Sequence, residues 1–549
     1  MFSFSLRARF TLGTVLALGG LGCSSETTPV TAASSTMVFV DEAAAPGGDG
    51  TQARPFRTIR EALEIGRPIQ AVAVAAGHYP APASWDFASA LTIFGYAPEP
   101  TLLEAEAPAT ALGWTASAKL VLRNLTLAAP LSLSGGQLEL YQLAGTSLVG
   151  PALSLSDVTS VVYGLTLSGV LPPGAEPTAG DGVVVAGGSL RWTGGTVADV
   201  PDRAVVLTGV DAELDSLTLA SSARAPLTVG AGSDVTARNL QIADVSMGVF
   251  VESASLRLEQ ASIDHASTAA VMAAAESTTR IVGSTFTDCR NGHVSVQGTG
   301  ASMTIESSTL SGASQGPCVF ASSTDGAIVV RDSTVHGCAG SGITFFVVTD
   351  ALADGNEVFD IGPDPIFPEL ADGISVQSGT ARVTHNHVHD TLGYGLALNQ
   401  SHVLADFNDI GPTGSSGVAV VDPGVGPTTI NDNTISQATG AGVIVLGADV
   451  QVLSNTISGT AYLPAEGFGD GVAFGQGAHV AVQDNTLEGN DRNGVVFLDG
   501  ATGTIAANLA TGNAGYGILE FCTGAANAVV IGTNQLDGNG LGSQSLCSP

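Results

Sequence analysis

The sequence predicts an all-β solenoid, in which short parallel strands are wound coil upon coil around a narrow apolar interior. Three observations carry that prediction. A four-residue motif, three variable positions followed by an aliphatic one, recurs along almost the whole chain, mostly at steps of 21–26 residues with a few of 30. Around the motifs, apolar and polar residues alternate in runs of three to five, the period of short strands with one buried face. The composition, 70 glycines among 549 residues and 44% apolar, can bury a core and excludes global disorder.

The elements follow in chain order. Residues 1–22 have the layout of an export signal, with Arg7 and Arg9 ahead of the apolar run from Phe10 to Leu21. The segment Leu18-Gly-Gly-Leu-Gly-Cys23 resembles a bacterial lipoprotein signal, with Gly20 standing where Leu is usual. The resemblance implies lipidation at Cys23, and the Ser/Thr-rich stretch of residues 23–36 reads as a flexible tether. The expected address is the bacterial cell envelope, as an outer-membrane lipoprotein that meets the bilayer through this anchor only. No later stretch approaches the ~18 apolar residues of a membrane span. Residues 37–110 read as an N-terminal cap with the first coils, including a short helix from about Phe56 to Ile65. On that helix Phe56, Ile59, Leu63 and Ala62 share a face that covers the open end of the stack.

Residues 111–549 read as the solenoid proper. The motif runs from Asn124-Leu-Thr-Leu and Ser216-Leu-Thr-Leu through Ser307-Ser-Thr-Leu to Asp432-Asn-Thr-Ile and Ser454-Asn-Thr-Ile. Its second position is Leu in the early coils, then Ser284, Ser308 and Ser333, then asparagine: Asn356, Asn386, Asn408, Asn433, Asn455, Asn485, Asn508 and Asn534. A column of inward amides, each both donor and acceptor, satisfies itself, so these residues read as a structural ladder. After each later motif a glycine (Gly373, Gly395, Gly417, Gly442, Gly494) leads an apolar alternation. Three strands and three turns per step cannot bury a core alone. Stacked at ~4.8 Å, about 18 coils make a rod of roughly 90 Å.

From about Thr36 onward the chain resembles the right-handed parallel β-helix, or pectin-lyase-like, superfamily. The block Val38-Phe-Val-Asp41, Asp49-Gly-Thr51, Pro55-Phe-Arg-Thr-Ile59 and Val72-Ala-Val-Ala-Ala-Gly77 matches the opening of many such proteins. The resemblance implies a first strand, a capping helix and a first coil there. It also implies that an active member would work on polysaccharide in a groove along one outer sheet. The outward residues of the Gly-led strand, Ser375, Ala397, Ala419, Ile444, Ala473, Val496 and Leu519, are not ionisable. The paired aspartates, calcium carboxylates with a basic residue, and Asp-Pro-His pattern of the family's enzyme branches find no match, so a familiar enzyme is not predicted.

Two places carry candidate chemistry. The first is Arg382-Val-Thr-His385-Asn-His387-Val-His389-Asp390, in which three of the nine histidines fall within five residues. His385 and His387, with Glu357 and Asp409 one coil away on either side, form a candidate zinc set, two imidazoles and carboxylate on an extended stretch. His387, Asp390 and Arg382 are the candidate catalytic residues. The second place is a set of inserted loops, Ser168–Asp181, Ile361–Asp372 and Thr460–Asp470, each containing proline and ending Asp-Gly. Asp364, Glu369 and Asp372 are candidate calcium ligands, and Tyr394, Tyr462, Asp470 and Tyr516 candidate glycan contacts. In an oxidising compartment Cys522 is expected to pair with Cys547, and Cys318 with Cys289 or Cys338.

The charge balance limits partners. Eighteen basic residues against 50 acidic give a net charge of −32, which excludes nucleic acid and disfavours unassisted binding of anionic polymers. The leading expectation is an envelope-anchored binding or scaffold protein that contacts extracellular or cell-wall polysaccharide, with calcium or zinc the only cofactors in view. One alternative is a polysaccharide lyase, hydrolase or epimerase with a divergent site near His385–Asp390. The other is a periplasmic metal-handling protein.

Overall fold

The computed structural model describes residues 36–106, 111–172, 180–422, 424, 426–522 and 524–547. The export segment, Cys23 and the tether as far as residue 35 lie outside the described residues. Three parallel sheets run the length of a rod of about 20 turns. The first sheet starts at Met37–Val40 and reaches Ala528–Ile531; the second spans Gly77–Ala81 to Leu509–Thr511; the third spans Ser84–Phe87 to Gly542–Ser545. The rod has more coils than the 18 expected because two carry disguised motifs. Gln142-Leu-Ala-Gly and Gly194-Gly-Thr-Val hold the same register, Leu143 beside Leu125 and Gly195 beside Leu165.

The motif is the corner between the first and second sheets. Its first residue adopts a left-handed backbone, as at Asp432 (φ 52°), Ser454 (φ 55°) and Asp484 (φ 57°), which turns the chain sharply and aims the next side chain inward. Asn433 shows what that side chain does. Its Oδ1 accepts from the backbone N–H of Asn408 (2.8 Å) and from Asn408 Nδ2 (2.9 Å), while its own Nδ2 donates to Ala405 O (3.0 Å) and Asn455 Oδ1 (3.0 Å). The serine coils continue the column with one bond between coils each: Ser284 Oγ accepts from Ala261 N (3.1 Å) and Ser308 Oγ from Ser284 N (3.1 Å).

Inward aliphatics fill the interior, and one apolar cluster is continuous from Val38 to Ile518. The glycine that leads the later third-sheet strands is dictated by this packing, since a Cβ at Gly442 would stand 2.2 Å from Ile457 Cγ2. The capping helix is only Ile59–Leu63, shorter than the sequence predicts. Thr58 caps its N-terminus and so starts it late, its hydroxyl accepting from Glu61 N (3.1 Å) while Glu61 reaches back to Arg57 N (2.9 Å). Ile59 and Ala62 are its buried residues, and Phe56 packs into the same core from the segment before the helix. Cys318 is bonded to Cys338 and Cys522 to Cys547, and Cys289 is a buried thiol. On the outer face of the first sheet, basic residues pair with glutamates between coils, among them Lys119–Glu139 (2.6 Å), Arg238–Glu259 (2.7 Å) and Arg280–Glu306 (2.7 Å).

Candidate functional site

The register of the third sheet brings scattered residues into one column. Asp372, Tyr394, Ser416, Ala441, Asp470, Asn493 and Tyr516 each stand two residues ahead of a strand position in lateral register with the next. Apart from Ala441, they form a row of polar and aromatic residues along the leading edge of the sheet, hydrogen-bonded between some of the neighbouring coils. Asp372 accepts from Tyr394 N (3.0 Å), Ser416 Oγ from Ala441 N (3.0 Å), Asp470 from Asn493 N (3.0 Å) and Nδ2 (2.7 Å), and Asn493 from Tyr516 N (2.8 Å). Burial pushes the Asp372 carboxyl up to about 7. Burial also raises Asp470, against the opposing influence of Arg492 and Asn493.

Two inserted loops lie down on this edge, each reaching back toward coils already laid. Asp364 accepts from Gly316 N (2.7 Å) two coils earlier and from Ile366 N (2.6 Å) and Phe367 N (2.9 Å) in its own loop. Burial pushes Asp364 up, but those three N–H groups outweigh it and hold the carboxyl below its usual range. Glu466 accepts from the hydroxyls of Ser415 and Ser416, also two coils back. Burial and the Glu466 charge both oppose ionisation of the Tyr394 phenol. Arg492 donates to Gly467 O, stands 3.6 Å from Asp470 Oδ2 and lies over the Tyr462 ring at 5.7 Å.

The outer face of the third sheet departs from the groove that the family resemblance implied. Ala419, Ile444, Ala473 and Val496 form a second apolar cluster, against which Phe468 of the Thr460–Asp470 loop and Tyr394 pack. An apolar row of this kind is stable only when covered, and the loop covers it. An open groove lies elsewhere on the same sheet. It has a volume of about 430 Å³ and is lined by Arg203, Arg224, Met247, Phe250 and Glu252 among others. Arg203 is held by both oxygens of Asp181 (2.9 and 2.8 Å) and Arg224 by Asp202 (3.1 Å). Sequence reasoning missed this groove, because its residues belong to coils where no motif draws attention to them.

The other candidates fall as follows. Asp364, Glu369 and Asp372 do not converge on a calcium position: the carboxylates of Asp364 and Asp372 are taken up by backbone N–H groups, and Glu369 is exposed. Tyr394, Asp470 and Tyr516 share this row, and Tyr462 stands beside it under Arg492. His387 and His389 lie on the outer face of the second sheet, with Glu357 and Asp409 in register beside His387. His385 is not with them. It occupies the left-handed corner (φ 55°), bonds Asp354 (3.1 Å) and stacks on Phe407, because strand alternation does not carry through the turn. Arg382 is on the first sheet, on the far side of the Asn386 corner. Arg382 therefore does not stand with His387 and Asp390.

A second asparagine ladder also escaped the sequence reading: Asn490 Nδ2 donates to Asn513 Oδ1 (2.7 Å) and Asn513 Nδ2 to Asn539 Oδ1 (2.8 Å). Its signal was present, since each of these residues follows a first-ladder asparagine by five positions in the last three coils.

The model of the right-handed β-helix region matches residues 181–327, 299–422 and 372–544, more than half of the chain. The chain belongs to the right-handed β-helix family. No curated protein matches it. Among solved structures this β-helix is similar to the periplasmic alginate epimerase AlgG at 10% identity, over 76% of this chain and 77% of that one, with a TM-score of 0.25. It is similar to the A-module of the Azotobacter vinelandii mannuronan C-5 epimerase AlgE4 (15% identity, 93% and 98%, TM-score 0.18) and to the PL6 family alginate lyase AlyGC (8% identity, 91% and 100%, TM-score 0.29).

Proposed function

We propose that this β-helix is a binding protein of the bacterial cell envelope that holds an extended, neutral polysaccharide along the third-sheet side of the rod without cleaving it. One observation carries the reading. On that side, aromatic and polar side chains recur in all but one coil of a row from Asp372 to Tyr516, while the carboxylates best placed to act as acid or base are committed to structure. Asp470 is fully buried between Asn493 and Arg492, and Asp372 is 5% exposed on the Tyr394 amide. Tyr462 and Phe367 remain exposed beside the row, as sugar-stacking faces need. The net charge of −32 favours a neutral polymer over an acidic one. Anchoring through a lipid on Cys23 belongs to this proposal, as does an outer-membrane address.

Affinity electrophoresis through gels containing neutral or acidic polysaccharides tests it. Tyr462→Ala and Tyr516→Ala should each weaken retardation by about five- to ten-fold, the loss of a central aromatic contact. Tyr163→Ala, an exposed tyrosine on the first sheet, should change nothing. Equal effects of all three variants, or retardation by acidic gels only, would count against the reading.

A further inference from the structure

We propose that Glu357, His387 and His389 form a binding site for a borderline divalent cation of the zinc class on the outer face of the second sheet. The ligand atoms of the three residues lie within 4.8 Å of one another. They are a carboxylate oxygen and two ring nitrogens, the donor set such an ion prefers over calcium or magnesium. The period of two places His387 and His389 on the same face of one strand, and the parallel register sets Glu357 beside His387 one coil earlier. The imidazole rings are 4.4 Å apart between centroids, and His389 Nε2 is 3.9 Å from Glu357 Oε1. Two ligands of a tetrahedral zinc ion, each ~2.0–2.1 Å from it, are about 3.3 Å apart, so small side-chain rotations close the set.

Two features distinguish this group from a chance polar patch. His389 Nδ1 bonds Asp390 Oδ2 at 2.8 Å, while its Nε2 is buried without a hydrogen-bond partner. A carboxylate behind one ring nitrogen fixes the tautomer that leaves the other free to ligate, the usual arrangement behind a metal-bound histidine. The ring is also held in place, stacked 5.2 Å from Phe359, which itself stacks 4.8 Å from His336. Asp409 Oδ2, 3.7 Å from His387 Nε2, supplies a further oxygen nearby. The other comparable group among the described residues, Asp264, His265 and Asp288, is weaker. It has one imidazole, and both Asp264 oxygens are engaged, by Thr287 and by His265 (2.7 Å).

Zn²⁺ titration of the full-length protein by calorimetry tests the site, with Co²⁺ spectra reporting coordination. Wild type should bind a stoichiometric equivalent that disappears in the double variant His387→Ala/His389→Ala and persists in His265→Ala. Asp390→Asn should weaken it by about 10- to 100-fold, as loss of an outer-shell carboxylate does. Excess Ca²⁺ should not displace it. His389 is largely buried and stacked on Phe359, so the single variant His387→Ala, whose ring is exposed, separates binding from folding: its circular dichroism and melting should match wild type while the equivalent is lost or weakened. Absence of a stoichiometric equivalent, its survival in the double variant, or its loss in His265→Ala overturns the assignment.

Discussion

Replacing one rung of the asparagine ladder should open the rod locally, by an amount the structure allows one to work out. In Asn433→Ala, the backbone N–H of Asn408 and one hydrogen of its Nδ2 lose their acceptor in a site where Asn408 is 2% and Asn433 1% exposed. At ~1–3 kcal/mol for each stranded buried donor, the cost is about 2–6 kcal/mol. Asn433→Ser tests the mechanism as distinct from the volume. A serine hydroxyl accepts the backbone N–H of the preceding coil, as Ser308 and Ser333 do at 3.1 and 3.2 Å, so it should restore about 1–2 kcal/mol. A solenoid opens by neighbouring repeats, so hydrogen exchange followed by mass spectrometry is the appropriate assay, read on peptides covering 402–410 and 428–436. Protection should fall in the order wild type, Ser, Ala. A loss below about 1 kcal/mol in the alanine variant, or serine no better than alanine, would refute the ladder's energetic role.

Three further outcomes are expected. Asp372, raised from 3.8 to about 7, binds its proton in the folded state, so its stabilising contribution is complete below the unfolded value and disappears as the pH rises through 7, about 4 kcal/mol in all. His293, buried and lowered from 6.5 to about 4, acts in the opposite sense, its about 3 kcal/mol being lost as the pH falls from 6.5 to 4. Urea unfolding of Asp372→Asn should therefore gain stability with pH between 4 and 6.5 relative to wild type, and an unchanged pH profile would refute this. Glu466→Gln weakens the charge-assisted bonds to Ser415 and Ser416 by about 1 kcal/mol, so protease cleavage of the 460–470 loop should accelerate several-fold, with no change at the 361–372 loop. Cys522→Ser/Cys547→Ser removes a link of sequence separation 25, worth about 3.5 kcal/mol by loop closure. Its effect should be confined to exchange in the last coils, and a uniform loss along the rod would contradict the nearest-neighbour picture.

The fold was legible because its determinants are local and repeated. In the later coils the left-handed corner, the inward amide after it and the glycine before the third-sheet strand recur with the coil, so one strong motif reveals the rest. Two coils escaped because Gln142-Leu-Ala-Gly and Gly194-Gly-Thr-Val replace the usual side chains while keeping the backbone path. The site was legible only in part, because its contacts cross coils. That Asp364 and Glu466 reach back two coils, and that Phe468 packs against the outer apolar cluster, depends on how far a loop folds along the rod, which no spacing encodes. The same limit explains His385: alternation placed it with His387, but the corner turns it toward Asp354.

The central claim, that the rod holds a neutral polymer and leaves it whole, is tested most directly by size-exclusion chromatography with light scattering after incubation with neutral polysaccharides. The account predicts that one polymer carries the protein into its own peak while its molar mass stays constant. A falling polymer mass would contradict it and make the protein a depolymerase.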